Sequence, residues 1–246
     1  MPALTELTIR PARWPKSLPF VGRDVAAKPD TTVSQVKPKL APERGLSIRA
    51  VVAPDLSSIG LKNLSRPGTN IGLVLEYRLA SRWSVQAGVI QSTKVYRALP
   101  EDYTPPAGAW KGGGKPINVD GICNMIDIPI NIRYDIILKP HANKQLVNRW
   151  FVSGGATSYI MEQENYDYNY ASHTMPYPKT YGVDTTTGGY KFSHLNLSIG
   201  YERAFSKRLS WQIEPFMKVP IKGVGLFNIN LMSTGAFFSI RYKLTK

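Results

Sequence analysis

The sequence predicts an all-β protein: an eight-stranded antiparallel up-and-down transmembrane β-barrel behind a proline-rich N-terminal extension. Three observations predict it. Eight segments alternate apolar and polar residues with a period of two, the connections between them alternate between short and long, and Trp and Tyr recur on the apolar face beside the short connections. A period of two is the mark of a strand, because successive side chains point to opposite faces of a sheet.

Residues 1–44 contain seven prolines, several Lys and Arg, and no sustained periodicity. Proline fixes φ and removes a backbone donor, so this stretch is expected to be an extended, semi-rigid linker. Residues 45–246 are expected to form the barrel.

The alternation is cleanest from Ile126 to Tyr134, where Ile126, Ile128, Ile130, Ile132 and Tyr134 alternate with Asp127, Pro129, Asn131 and Arg133. A helix would scatter these isoleucines around its circumference. Before this stretch come the segments around Leu46–Val52, Ile71–Leu79 and Trp83–Val89, the last extending to about Arg97. After it come Trp150–Ile160, Leu195–Tyr201, Trp211–Val219 and Met232–Leu244. Eight is the smallest common strand number for a closed barrel.

The connections sort by length. Ala80-Ser81 and Phe205 to Lys207 are short, and Lys139 to Val147 is intermediate. The stretches 54–68, 98–120, 162–190 and 221–230 are long. In an up-and-down barrel alternate connections lie at opposite ends, so all long loops fall at one end, as in outer-membrane barrels with short periplasmic turns and longer external loops.

Tyr77, Trp83, Tyr134, Trp150, Tyr201, Trp211 and Tyr242 all lie on the apolar parity near a short turn or the carboxyl end. On one barrel they fall at one height, which is the placement of an interfacial aromatic girdle. The opposite parity carries Arg49, Glu76, Asp127, Arg133, Glu202, Glu214 and Arg241. These mixed charges are expected to pair in a polar lumen, since burial demands pairing. Parity alone leaves a second reading open: a soluble lipocalin-like barrel with the apolar face turned inward around a small apolar ligand.

Composition excludes several classes. No segment approaches the roughly 20 apolar residues of a membrane-spanning helix. The single Cys123 rules out an intramolecular disulfide and a Cys-based zinc cluster. The formal net charge is +14, but the basic residues are dispersed and no nucleic-acid motif accompanies them, so no nucleic-acid partner is expected. Met1 to Arg10 contains no apolar core of the roughly 7–15 residues that export requires, so an exported chain is expected to be part of a longer precursor or to use an unusual start.

No catalytic constellation emerges. His141, His173 and His194 lack metal-ligand spacing, no nucleophile-elbow motif is present, and Gly112-Gly113-Gly114-Lys115 lacks the spacing and the following Ser/Thr of a phosphate loop. No enzyme activity, cofactor or metal is expected. A lipid-modifying barrel enzyme, the third option, would need a nucleophile and base near the rim. Tyr166, Tyr168, Tyr170, Tyr177 and Tyr181 crowd the third long loop. Tyrosine gives large contact area at low entropic cost, so these residues are candidates for an external contact surface, or for a loop folded over the barrel mouth.

Residues 45–246 resemble the small outer-membrane β-barrels of Bacteroidota, the broad PorT-like or OmpA-like group, on Ile126-Asp-Ile-Pro-Ile-Asn-Ile-Arg-Tyr134 and on Gly235-Ala-Phe-Phe-Ser-Ile-Arg-Tyr-Lys-Leu244. The resemblance implies a location in a Gram-negative outer membrane, with lipid as the surrounding partner. The expected role is structural, adhesive or scaffolding through the external loops, with no open pore. A partner in the cell envelope would be met by those loops or by the N-terminal extension.

Overall fold

The computed structural model describes residues 44–60, 66–103, 114–140, 146–171, 180–226 and 228–245. The extension, with its candidate linker, lies outside the described residues apart from Arg44. Nine strands follow: β1 (Gly45–Ile59), β2 (Gly68–Arg78), β3 (Trp83–Ala98), β4 (Asn118–Pro140), β5 (Val147–Asn169), β6 (Thr180–Thr185), β7 (Gly189–Ala204), β8 (Leu209–Pro220) and β9 (Leu231–Lys243). A 3-10 turn, Pro100–Asp102, follows β3.

Eight strands close a ring in the order β4-β3-β2-β1-β9-β8-β7-β5, completed by β5 against β4. Every neighbour is antiparallel. β6 stands outside the ring and pairs only with the far half of β5, from Glu164 to Asn169. The tight turns are closed by Leu79 N–H donating to Trp83 O at 2.9 Å and by Phe205 N–H donating to Leu209 O at 2.9 Å.

The two faces decide what surrounds the barrel. Leu73, Ile132, Leu197 and Ile240 point outward and are more than half exposed, whereas Glu76, Lys94, Asp127 and Arg133 point inward and are 0 % exposed. This is the reverse of a water-soluble protein, in which charged groups are almost never fully buried unless paired. The soluble alternative with an apolar lumen is therefore excluded: the greasy face is the outer one, and the chain is a transmembrane β-barrel. Along β4 the outward apolar run from Tyr134 to Ile126 spans about 20 Å at roughly 3.3 Å per residue and 40° tilt, close to the ~25 Å apolar band of such barrels.

Several strands run past the predicted ends. β1 continues to Ile59, β4 begins at Asn118, and β5 continues to Asn169. The long connections are therefore shorter than expected, and much of the 162–190 stretch is β-structure. Above Ile126 the outward residues of β4 become Asn124 and Asp120 while the inward ones become Met125, Cys123 and Val119. The hydrophobic parity inverts as the strand leaves the lipid, so an alternation read for one phase stops there.

Tyr166, Tyr168 and Tyr170 follow from a bulge. The β4–β5 register shifts between Met125↔Met161 and Asn124↔Gln163. The extra residue moves the inward parity of β5 from odd positions (Phe151, Tyr159, Met161) to even ones (Glu164, Tyr166, Tyr168). A second irregularity, in β7, gives Phe192 a φ of 46°, unusual for a bulky side chain. Its N–H donates to Ser158 Oγ at 3.0 Å.

Candidate functional site

The lumen is filled in layers. Nearest the short turns lies an ionic cluster centred on Arg133 of β4. Its Nε lies 2.9 Å from Asp135 Oδ1, its Nη2 2.5 Å from Glu202 Oε2 and its Nη1 3.3 Å from Glu76 Oε2. The guanidinium also lies 3.7 Å from the centroid of the Phe151 ring, a cation–π contact strengthened by exclusion of water. Arg241 reaches Glu202 Oε1 at 2.5 Å, and Arg149 reaches Asp135 Oδ2 at 2.9 Å. On the far wall Arg49 lies 2.6 Å from Glu214 Oε2 and donates to Gln212 Oε1 at 2.8 Å. Six of the seven residues expected in the lumen thus meet in one layer.

Asp127 does not join them. It pairs with Lys218 at 2.5 Å in a second, higher layer, alongside Lys94 and Asp55 at 2.7 Å. Both ammonium groups lie 5.9 Å from the centroid of the Tyr159 ring. Asp135 has the polar parity expected to face the lumen, and it does; sequence reasoning assigns no role to Asp55, Lys94 or Lys218, nor to Arg78 and Arg149 of the lower layer. Their parity was the available signal, but Asp55 and Lys94 fall in segments read as loop or strand end.

Between the two charged layers sits an apolar plug of Val51, Ala53, Val74, Ile90, Phe216 and Phe237. The rings of Phe216 and Phe237 stack at 4.4 Å. The cavity beside them has a volume of only about 30 Å³, room for a water or two.

Toward the long-loop end lies a second apolar layer that includes Tyr96, Tyr103, Tyr166, Tyr168, Met125 and Ile229. Tyr166, Tyr168 and Tyr170 are buried here rather than displayed in a loop, which corrects their expected role as an external contact surface. Tyr166 donates to Glu164 Oε2 at 2.5 Å, and Glu164 Oε1 accepts from Thr187 N–H at 2.7 Å. Tyr181 lies on β6 and is exposed; Tyr177 lies outside the described residues. Cys123 is buried within this layer.

The seven outward aromatics occupy the first rows above the short turns. Trp83 and Tyr134 are paired across β3–β4 with ring centroids 4.7 Å apart. Trp150 meets Tyr201 at 5.0 Å, and Tyr201 meets Trp211 at 6.0 Å. Tyr242 lies opposite Leu209, and Tyr77 opposite Leu46.

Chemistry at the histidines is limited. His194 Nε2 lies 2.7 Å from Leu231 O, so that nitrogen carries the proton, and Nδ1 faces Ser193 Oγ at 3.1 Å. This Ser–His pair is sealed from solvent, and a backbone carbonyl rather than a carboxylate orients the ring. His141 and His173 lie outside the described residues, as do Gly112 and Gly113. Among the described residues no group of three or more His, Cys, Asp or Glu is placed to hold a metal.

Close packing around Arg133 makes Gly200 a test of this layer. A Cβ there would meet Phe151 Cζ at 2.3 Å, pushing the ring that supports the guanidinium. Gly200→Ala is expected to cost about 1–3 kcal/mol, the usual range for overpacking, measured as a lower urea midpoint of the folded barrel in lipid vesicles.

No family model and no curated protein matches the chain. Solved structures similar to it include small outer-membrane proteins. Neisserial surface protein A is 14% identical with a TM-score of 0.48, covering 81% of this chain and 97% of that one. The attachment invasion locus protein Ail of Yersinia pestis is 10% identical with a TM-score of 0.46, covering 82% and 100%. OprG of Pseudomonas aeruginosa is 9% identical with a TM-score of 0.41, covering 84% and 99%. At such values the architecture rests on this chain's own ladders and faces.

Proposed function

We propose that the chain is a non-enzymatic outer-membrane barrel that acts as a contact or scaffolding element through its long-loop end, with no open pore. One observation supports this reading: charged and apolar side chains fill the lumen in layers while β3 to β6 project beyond the lipid band. Above Gln91, Ile126 and Ile160 the outward residues of that sheet include Thr93, Asn124, Glu162, Arg97, Asp120 and Asp167, a polar face suited to water. About seven residues of each of β3 and β4 extend past the band, or roughly 20 Å along the strand. β6, with Tyr181, forms its outer edge among the described residues.

In this reading the short turns face the periplasm. The seven aromatics sit at the inner headgroup level, where amphipathic rings are favoured. The resemblance to Bacteroidota barrels supports the same placement, and lipid and an envelope protein are the partners. Adhesion or scaffolding is favoured over transport by the closed lumen.

Two measurements test it. Purified protein in a planar bilayer is expected to give no stepwise conductance; a steady open channel would refute the closed lumen. Cells displaying a barrel with Tyr181→Ser and with residues 172–179 replaced by a two-residue turn, changes that leave the buried Tyr166, Tyr168 and Tyr170 in place, are expected to lose adherence or partner contact while keeping the barrel in the membrane. Unchanged contact would remove the role assigned to the projecting sheet.

A further inference from the structure

The mouth at the short-turn end contains a chemically distinct feature that the contact role does not use. A cavity of about 60 Å³ opens there, lined by Arg78, Arg149, Arg241, Lys207, Arg208 and Lys243, with Glu202 as the one carboxylate in its wall. That volume exceeds the roughly 10–15 Å³ needed for a single water several times over. It is of the size taken by one small oxyanion.

The charge balance of the layer behind it is uneven. Arg49, Arg78, Arg133, Arg149 and Arg241 are five buried guanidinium groups, and they face four buried carboxylates, Glu76, Asp135, Glu202 and Glu214. Glu202 is committed, since Arg133 and Arg241 hold its two oxygens at 2.5 Å each. Arg78 is the group left short. It is 3 % exposed, its Nη2 makes no hydrogen bond, and the nearest carboxylate oxygens, of Asp135 and Glu76, lie 3.6 and 3.7 Å away. Those distances are too long for hydrogen bonds. Arg78 is thus ion-paired with Asp135 and Glu76 but left without a hydrogen bond at Nη2, which is costly for a buried guanidinium, and its fork geometry matches phosphate and carboxylate oxygens.

We propose that this mouth is a binding site for a small oxyanion of the phosphate or carboxylate class. Arg78 and Arg149 hold the anion from within the lumen, and Lys207, Arg208 and Lys243 draw it in at the rim. Summed basic charge around a concave, partly dry mouth raises the local concentration of anions. The anion is either free in solution or carried on a phospholipid headgroup at the adjoining membrane face.

The test is calorimetric titration of inorganic phosphate into the full-length folded barrel in a neutral detergent, with ionic strength held constant by chloride. Saturable one-site binding is expected. Arg78→Gln, checked for folding by its cold-versus-boiled gel shift, is expected to weaken binding roughly tenfold or more, the loss of a charged hydrogen-bonded contact. If Arg78→Gln does not fold, the exposed-turn double variant Lys207→Gln/Arg208→Gln carries the test, with a several-fold weakening expected. Absence of saturable binding in the unaltered protein overturns the proposal. So does unchanged affinity in folded Arg78→Gln or, failing that, in the turn variant. Repeating the titration in nanodiscs with and without phosphatidylglycerol separates the sources. Competition by that lipid identifies the headgroup, and unchanged phosphate affinity identifies the free anion.

Discussion

Arg133→Met is expected to lower the unfolding free energy of the barrel by about 3–5 kcal/mol, the cost of breaking a buried ionic network from one side. Methionine preserves much of the volume but leaves carboxylates of Glu76, Asp135 and Glu202 without the cation that bridges them. Asp135 and Glu202 keep Arg149 and Arg241, which is why the expected loss is bounded. Urea titration of vesicle-embedded protein, read as the folded band on an unboiled gel, measures it. Adding Glu202→Gln to Arg133→Met removes one of the stranded charges and is expected to recover part of the loss, giving a non-additive cycle. The exposed pair Arg97–Asp120, at 2.6 Å, supplies the contrast: Arg97→Ala is expected to cost under about 1 kcal/mol. Equal losses at the two sites would mean that Arg133 is not the centre of a buried network.

Ile130→Arg is expected to prevent insertion or to cost about 2–4 kcal/mol, the penalty for a cation on the lipid face near the midplane. Ile130 is 45 % exposed on the outer surface, paired across strands with Ala87 and Ala156, and four residues above Tyr134 on its strand. Ile122 has the same outward parity on the same strand but lies past the apolar band, level with Asn165 and Val95. Ile122→Arg is therefore expected to cost about 0–1 kcal/mol. The depth dependence is the diagnostic. Refolding yield into vesicles for the two variants, side by side, distinguishes a lipid-facing surface from a generic sensitivity to charge. A similar penalty at both positions would contradict the placement of the band.

The same features explain what was legible in the sequence. Between the short turns and the middle of the barrel, lipid outside and ionic groups inside give every strand the same two-phase alternation, so Ile126 to Tyr134 read correctly. Above that level the outside turns polar and the inside apolar, as in the change from Ile128/Asp127 to Asn124/Cys123, and the signal cancels. A bulge near Glu162 then shifts the phase of β5 by one residue, which no periodicity count anticipates. Tyr166 and Tyr168 consequently looked like loop residues and are core. The charged residues facing the lumen were readable as a set, because parity places them on one face. Their division into two layers was not, because pairing partners such as Lys218 and Asp127 are 91 residues apart in sequence and depend on strand stagger. The cation surplus beside Arg78 was hidden for the same reason.

The apolar face of the barrel is the outer one and meets lipid. Fractionation of cells producing the protein, followed by cold-versus-boiled gel migration of the detergent extract, tests it most directly. Recovery in the outer membrane and a folded band whose migration shifts on boiling are expected. A monodisperse protein in plain buffer, with no detergent and no shift on boiling, would contradict it.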